Sequence, residues 1–481
     1  MNTNQASNYR GRQVTIMGLG INGGGLASAR YFAQAGAVVT VTDLRGADVL
    51  APSVEALQAW PIRYVLGRHE MADFTGADLV IKNPGVRPDN PFLAAARRVD
   101  TDISLFLAQC PATVIAVTGS KGKSSTASAI HHILTRSGRR SFLGGNITVS
   151  PLDFLEHLTG SDVVVLELSS WQLGDLRGKS VLQPHCAVLT HIVPDHLDRY
   201  GTMAAYIADK RLIYANQTAA DWLVCENDDW GRSFAAESQG RSLFYGDQLP
   251  AEALGGWLDS AGRDRTRLPA TDPTAGPTAV GPDSGPLTEA SLLPGSLRVP
   301  GRHNRLNCLA AGLAAWTVGL KPDAIRLALA DFPGVPHRLE VFASHDGIAW
   351  CNDSAATVPE AVEAAANSFT TPLVLITGGT DKVLDFEPSR RACAKARQVV
   401  LLAGSGSDKL RALLEADGTA YQGPFSQLDQ ALQATLAVVR PGDTVVLSPG
   451  CTSFGMFKNE FDRGNSFKAA VQALLAAQAG A

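Results

Sequence analysis

Apolar and polar positions alternate along this chain in blocks that predict strands and helices in turn. "RQVTIMGLG" (12–20) is a short apolar strand that ends in glycines, and "LASARYFAQAG" (26–36) has helical apolar spacing that stops at Gly36. "AVVTVTD" (37–43) is a second strand, closed by Asp43, and "DLVIKNPG" (78–85) is a third that runs into an Asn-Pro-Gly turn. A second block opens near residue 112: the strand "ATVIAVTG", then the helix "KSSTASAIHHILTRSG" with Ser/Thr in its first turn and Gly138 at its end. "DVVVLELSS" and "PHCAVLTHI" are further apolar runs ending in polar residues, and "GRHNRLNCLAAGLAAWTVG" returns to helix. A third block begins near Pro336 with "IAWCND", "TPLVLITGG", "RQVVLLAGSG" and "DTVVLSPG". Such alternation predicts parallel α/β sheets, which present ligand sites at the carboxyl ends of their strands.

Length supports more than one core: 481 residues are too many for a single ordinary domain. Residues 248–296 are rich in Gly, Pro and Asp and read as an insertion or surface loop without a packed core. The net charge of −4 offers no electrostatic reason to expect nucleic acid or an anionic membrane as partner. Seven scattered cysteines lack the spacing of a zinc or redox site and read as reduced thiols. The first residues lack the apolar core of a signal peptide, and no apolar run is long enough to span a bilayer, so a cytoplasmic protein is expected.

Two glycine clusters carry the first chemistry. Gly18-x-Gly20-x-x-Gly23 follows a strand, opens a helix, and has Asp43 at the end of the next strand, which is the context of a dinucleotide fingerprint. The glycines say that something bulky or anionic approaches a helix N-terminus; they do not say which nucleotide. The second cluster, "VTGSKGKSST" (117–126), has the Gly-Lys-Ser of a phosphate loop but Val117 where the general pattern needs its first glycine. Backbone amides from Gly119 to Gly122 would cradle phosphate, Lys123 would reach the outer phosphates, and Ser124 or Ser125 would ligate Mg²⁺. Ser120 and Lys121, between the two glycines, would bind ATP as part of the same phosphate cradle. Glu167, closing a buried strand, stands where a metal-binding carboxylate belongs, and His196 in "HIVPDHLDRYG" is a candidate ligand or base. Lys210, one turn after Tyr206, reads by default as a solvated lysine.

In order, "TGSKGKSS", "GGNI", "LELSSWQL", "PDHLDRYG", "ADKRLIY", "GRHNRLN", "PHRLE", "NDSAAT" and "SPGCTSF…FKNEFDRG" resemble the motifs of the Mur ligases, over nearly the whole chain. The likeness is greatest to the members that add D-glutamate to UDP-N-acetylmuramoyl-L-alanine. That family's ATP loop also lacks the first glycine. The resemblance implies an α/β fold of three domains: a Rossmann-like N-terminal domain for the UDP-sugar (1–108), a central P-loop ATPase domain (109–333), and a Rossmann-like C-terminal domain for the amino acid (334–481). It implies ATP and Mg²⁺ as cofactors, UDP-N-acetylmuramoyl-L-alanine and glutamate as substrates, an acyl-phosphate intermediate, and a monomer.

By the same resemblance, Gly20, Ile21, Asn22, Asp43, Arg45, Asn83 and Gly85 would bind the UDP-substrate. Lys123, Asn146, His196 and Lys210 would be catalytic. Ser124, Ser125 and Glu167 would hold one Mg²⁺, and His196 with a carbamylated Lys210 the other. Asn304 and Asn307 would meet adenine, Arg338 phosphate, and Asp353 ribose. Thr357, Lys382, Ser453 and Phe454 would hold the incoming amino acid. Two departures fall in the amino-acid domain: Ala355 and Val358 replace Lys and Asn of the usual "NDSKATN", and Glu460-Phe461 inverts the usual Phe-Glu of "KNFEQRG". They leave open a related ligase that adds L-glutamate or another amino acid. A dinucleotide-dependent oxidoreductase would explain 17–43 but not Glu167, His196 or Lys210. A non-catalytic nucleotide sensor would need no acyl-phosphate machinery.

Overall fold

The computed structural model describes residues 9–20, 24–147, 149–269, 273–274, 287–381, 384–453 and 455–479. Among them, twenty strands form three sheets. The strands group into two compact units. One carries the chain up to Pro294 and again from Leu306 to Leu329; the other carries Gly295–Arg305 and the chain from Ala330 on.

The first unit contains two sheets. β1 (Gln13–Met17), β2 (Val38–Asp43), β3 (Ile62–Leu66), β4 (Leu79–Lys82) and β5 (Val99–Asp100) pair in the order β3-β2-β1-β4-β5, all parallel. The order reverses between β1 and β4, which opens a crevice at their carboxyl ends. The second sheet comprises β6 (Thr113–Thr118), β7 (Ser141–Gly145), β8 (Val163–Glu167), β9 (Cys186–Leu189), β10 (Trp222–Glu226), β11 (Arg241–Gly246), β12 (Gly255–Leu258), β13 (Asp264–Pro269) and β14 (Leu287–Ala290). Its order is β14-β13-β12-β11-β10-β9-β6-β8-β7, so β6 lies at the reversal point, between β9 and β8.

The structure differs from the expectation for 248–296. Instead of a surface loop, β12, β13 and β14 extend the central sheet, the last two antiparallel to their neighbours. Leu258, Leu268, Leu292 and Leu293 are buried there, and the Asp264 carboxylate accepts the N–H groups of Leu292 and Leu293. A few well-spaced leucines and one capping carboxylate suffice to pack a segment whose average composition is loop-like. Most of 270–286 lies outside the described residues.

Val, Ile and Leu runs make β1, β4, β6, β8, β9 and β10 central strands buried on both faces, and one apolar cluster, from Val14 and Ile16 through Val164 and Leu166 to Leu223, runs through both sheets. Polar ties cross the same boundary. Lys82 Nζ lies 2.7 Å from Asp175 Oδ2 with both side chains nearly buried. Ser150 Oγ donates to Asp102 Oδ2 at 3.0 Å, and Arg30 pairs with Asp153 at 2.7 Å.

The second unit holds β15 (Glu340–His345), β16 (Ile348–Asn352), β17 (Leu373–Thr377), β18 (Gln398–Leu402), β19 (Gln422–Phe425) and β20 (Thr444–Leu447), ordered β15-β16-β20-β17-β18-β19. Only β15 is antiparallel to its neighbour. No helix among the described residues is long and apolar enough to cross a membrane.

Candidate active site

The phosphate loop leaves β6 at the reversal point of the central sheet and enters the helix Lys123–Arg136. Two of its positions require glycine. Gly119 has φ +149°, and a Cβ there would stand 1.9 Å from Thr190 Oγ1. Gly122 has φ +91°, and a Cβ there would stand 2.4 Å from Asn307 Oδ1. Val117, the position that breaks the general pattern, is a buried strand residue in register with Glu167 of β8 and Val188 of β9.

Ser120 braces the loop from beneath. Its N–H donates to the His191 carbonyl at 2.9 Å, as does that of Lys121 at 3.1 Å. The Ser120 hydroxyl donates to the Val193 carbonyl at 2.8 Å, accepts the Val193 N–H, and lies 3.0 Å from the Tyr206 hydroxyl. With those groups engaged, an anion meets the first turn of the helix, where Lys123, Ser124 and Ser125 precede the first intrahelical bond, Thr126 N–H to Gly122 at 2.9 Å. Ser124 and Ser125 are partly exposed there. Lys123 Nζ folds over its own loop, donating to the Gly119 and Ser120 carbonyls at 3.1 and 3.0 Å. Lys121 Nζ reaches Asp195 Oδ2 at 3.3 Å, tying the loop to the segment that bears His196.

Glu167 ends β8 beside the loop and is 1 % exposed. Asn146 Nδ2 donates to its Oε1 at 2.9 Å, while Oε2 is buried without a hydrogen-bond partner among the described residues. An orphaned buried carboxylate oxygen is expensive unless a cation meets it. Lys210 is equally buried. Its Nζ donates to the Gly119 carbonyl at 2.6 Å and lies 4.5 Å from the centre of the Tyr206 ring. Burial, and then the charge of Lys123, hold this amine well below the usual lysine range. The default of a solvated lysine is therefore overturned: the helix Met203–Lys210, started by the Thr202 cap, aims its last residue inward beneath the loop. His196 adopts the left-handed conformation at φ +54°, and its half-exposed ring packs against Trp171 at 5.1 Å. Arg199 covers Trp171 at 4.0 Å.

The structure thus gathers Gly119–Ser125, Asn146, Glu167, His196 and Lys210 around the ends of β6, β8 and β9, with Asn307 against Gly122. The oxygen donors here, with one carboxylate oxygen unpartnered among the described residues, fit Mg²⁺. Sequence reasoning missed the parts played by Tyr206, Trp171, Thr190 and Asp195. Tyr206 and Trp171 stood within the quoted motifs, but nothing local marks which aromatic ring will face a lysine or a histidine.

At the crevice of the first sheet, Asp43 Oδ2 accepts the Gly20 N–H at 3.1 Å and Oδ1 the Arg45 N–H at 2.9 Å. Asn83 Oδ1 accepts the Gly85 N–H at 3.1 Å, and Asn83 N–H is held by the Met17 carbonyl. Gly20, Asp43, Arg45, Asn83 and Gly85 therefore share one end of the sheet; Ile21 and Asn22 lie outside the described residues.

In the second unit, Asp353 directly follows β16 and is buried. Its carboxylate accepts the Leu339 N–H at 3.1 Å and the Ser448 hydroxyl at 2.8 Å, and burial pushes its pKa up to about 7. Arg338 is exposed between His337 and Leu339, both at positive φ. Asn304 Nδ2 donates to the Pro300 carbonyl at 2.6 Å. Thr357 and Ser453 lie in the loops after β16 and β20. The buried Arg463 joins those loops, donating to Ser354 Oγ and O and to the Cys451 carbonyl. At the inverted pair, the Glu460 carbonyl accepts the Ser354 hydroxyl at 2.7 Å, and Phe461 packs edge-on against His337. Lys382 and Phe454 lie outside the described residues.

Three family models match the chain: "Mur ligase MurD-like, N-terminal domain" over residues 12–104, "Mur ligase middle domain" over 117–315, and "Mur ligase, glutamate ligase domain" over 337–451. A UDP-N-acetylmuramoylalanine–D-glutamate ligase of Treponema pallidum (strain Nichols) is 41% identical over 525 residues, covering 96% of this chain and 98% of its own. The enzyme of the same name from Roseiflexus sp. (strain RS-1) is 39% identical over 490 residues, with the same coverage. Among solved structures, UDP-N-acetylmuramate-alanine ligase MurC of Thermotoga maritima aligns with TM-score 0.59 at 20% identity, covering 96% of this chain and 99% of that one. MurF of Thermotoga maritima in complex with ADP aligns at 0.55 and 18% identity, covering 92% and 96%. These structures share the fold.

Proposed function

The chain belongs to the Mur ligase family, and from that premise we infer that it is an ADP-forming ligase that joins D-glutamate to UDP-N-acetylmuramoyl-L-alanine in peptidoglycan precursor synthesis. The observation that carries the reading is full-length identity of 41% to an enzyme of that name. The departures at Ala355, Val358 and Glu460 do not redirect it. Glu460 contributes its backbone carbonyl rather than its side chain to Ser354, and relatives matched over nearly their whole length carry the D-glutamate name.

The division of labour follows the geometry. The crevice of the first sheet, with Gly20, Asp43, Arg45, Asn83 and Gly85, receives the uridine diphosphate. The loop Gly119–Ser125 receives the phosphates of ATP at a helix N-terminus, and Lys123 leaves its own loop carbonyls to neutralise them. The terminal carboxylate of the substrate attacks the γ-phosphorus, and ADP departs. The neutral α-amine of D-glutamate then attacks the acyl carbon, a tetrahedral intermediate forms, the nitrogen gives up a proton, and phosphate leaves with the electrons of the C–O bond.

Glu167, with Ser124 or Ser125, would hold one Mg²⁺, and His196 with Lys210 a second. Bound there, the ions would screen the charge that builds on the transferring phosphoryl group. Asn146 fixes the Glu167 carboxylate by one oxygen and leaves the other for the metal. Carbamylation would make Lys210 a metal ligand. Its depressed pKa supplies the neutral amine, whose lone pair attacks CO₂; a C–N bond forms, the π pair moves to oxygen, and a proton is lost. The product would be an anion next to the phosphate loop in place of the amine. In the second unit, Arg338 would meet phosphate, Asp353 ribose, and Thr357 and Ser453 the glutamate carboxylates.

The test is ADP formation by the full chain with ATP and Mg²⁺. ADP should appear only when UDP-N-acetylmuramoyl-L-alanine and D-glutamate are both present. Binding of NADH without binding of the UDP-sugar would overturn the reading.

A further inference from the structure

The carboxyl ends of β9 and β10, beside the phosphate loop, carry a donor set that the ligation chemistry does not use. His191, Glu226 and Asp228 each offer one ligand atom, and these three atoms lie within 4.8 Å of one another. His191 Nδ1 is 2.8 Å from Glu226 Oε2. The Asp228 carboxylate is held in place because it caps the helix Asp229–Glu237, accepting the Gly231 N–H at 2.7 Å through Oδ1. β9 and β10 are paired in parallel up to Leu189 and Cys225, so the strand ends that carry the donors are rigid.

His191 pairs with Glu226, and Asp228, fixed as a helix cap, turns its carboxylate to the same spot. Two carboxylates thus crowd one imidazole, the arrangement that a divalent cation relieves. One imidazole nitrogen with two carboxylate oxygens suits first-row transition ions better than Mg²⁺, which prefers an all-oxygen shell.

We propose that His191 Nδ1, Glu226 and Asp228 form a further divalent-cation site, of the Mn²⁺ or Zn²⁺ class, separate from the Mg²⁺ ligands at Glu167. The site does not depend on the ligase reading. Its place gives it a job: the His191 carbonyl accepts the N–H groups of both Ser120 and Lys121, so a cation on the ring pins the strand end from which the phosphate loop hangs.

The probe is Mn²⁺, followed by the loss of its free-ion paramagnetic resonance signal on titration into the full chain, without nucleotide and under excess Mg²⁺. One Mn²⁺ per chain should resist displacement. It should remain in Glu167→Gln and weaken about tenfold or more in Glu226→Gln and in His191→Asn, with circular dichroism showing each variant folded. Two results would overturn the site: no Mn²⁺ retained under excess Mg²⁺, or binding that is lost in Glu167→Gln and unchanged in Glu226→Gln. In either case the cluster is a surface ion pair only.

Discussion

Lys210 Nζ sits 2.6 Å from the carbonyl oxygen of Gly119, the residue that opens the phosphate loop. A buried amine in that position, its pKa lowered by burial and by Lys123, would become an anionic metal ligand on carbamylation. Lys210→Arg should therefore abolish ligation, because a guanidinium cannot form the carbamate. Lys210→Ala should lose activity that short carboxylic acids partly restore. Both are read from ADP formation, and a fully active Arg variant would end the carbamate idea.

Glu167 is the second test of the metal arrangement. Glu167→Gln keeps the acceptor for Asn146 but removes the charge at the orphaned oxygen. The Mg²⁺ concentration for half-maximal rate should rise at least about 100-fold. Asn146→Ala should give a smaller rise, about tenfold, since it frees the carboxylate to rotate. Equal Mg²⁺ dependence in wild type and Glu167→Gln would remove Glu167 from the site.

The Lys82–Asp175 pair tests how the first two sheets are joined. Burial pulls the Lys82 ammonium down and the Asp175 carboxyl up, and their mutual attraction opposes both. Lys82→Met leaves an uncompensated carboxylate and should cost about 3–5 kcal/mol in the first urea transition. Lys82→Met combined with Asp175→Leu should recover most of that loss. A double variant as unstable as the single would show that the ion pair itself, not the stranded charge, carries the stability.

Asp353 gives a pH dependence. Its folded pKa of about 7 lies above the ordinary carboxylate value of about 4. Across that interval the folded chain keeps a proton that the unfolded chain has released, so this group lowers stability as pH rises from about 4 to 7. Asp353→Asn should flatten that decline in denaturation midpoints measured over the window. An unchanged slope would place the titration elsewhere.

Much of the site was legible because parallel sheets put function at strand ends. Glu167 closes an apolar run and Gly122 opens a helical one, so both could be placed by pattern alone. Lys210 could not. Whether a helical lysine faces solvent or a phosphate loop depends on packing against β6 and Tyr206, and only the resemblance to a family anticipated it. β12–β14 were hidden for the opposite reason. Composition averaged over 248–296 is that of a loop, while the few buried leucines that pair the strands carry no periodic signal. Ser120 was read as a phosphate contact, yet its hydroxyl and amide are tied to Val193, Tyr206 and His191, a role that appears only when β9 is laid beside β6.

The central claim, that an activated acyl group is passed to D-glutamate, is tested most directly by product analysis under competition. The full chain is given ATP, Mg²⁺, UDP-N-acetylmuramoyl-L-alanine, isotopically labelled D-glutamate and an equal concentration of unlabelled L-glutamate, and the UDP-linked product is examined by mass spectrometry. The product should carry the label of D-glutamate, with one ADP formed per product. A product built from L-glutamate, or ADP released with no amide formed, would contradict the account.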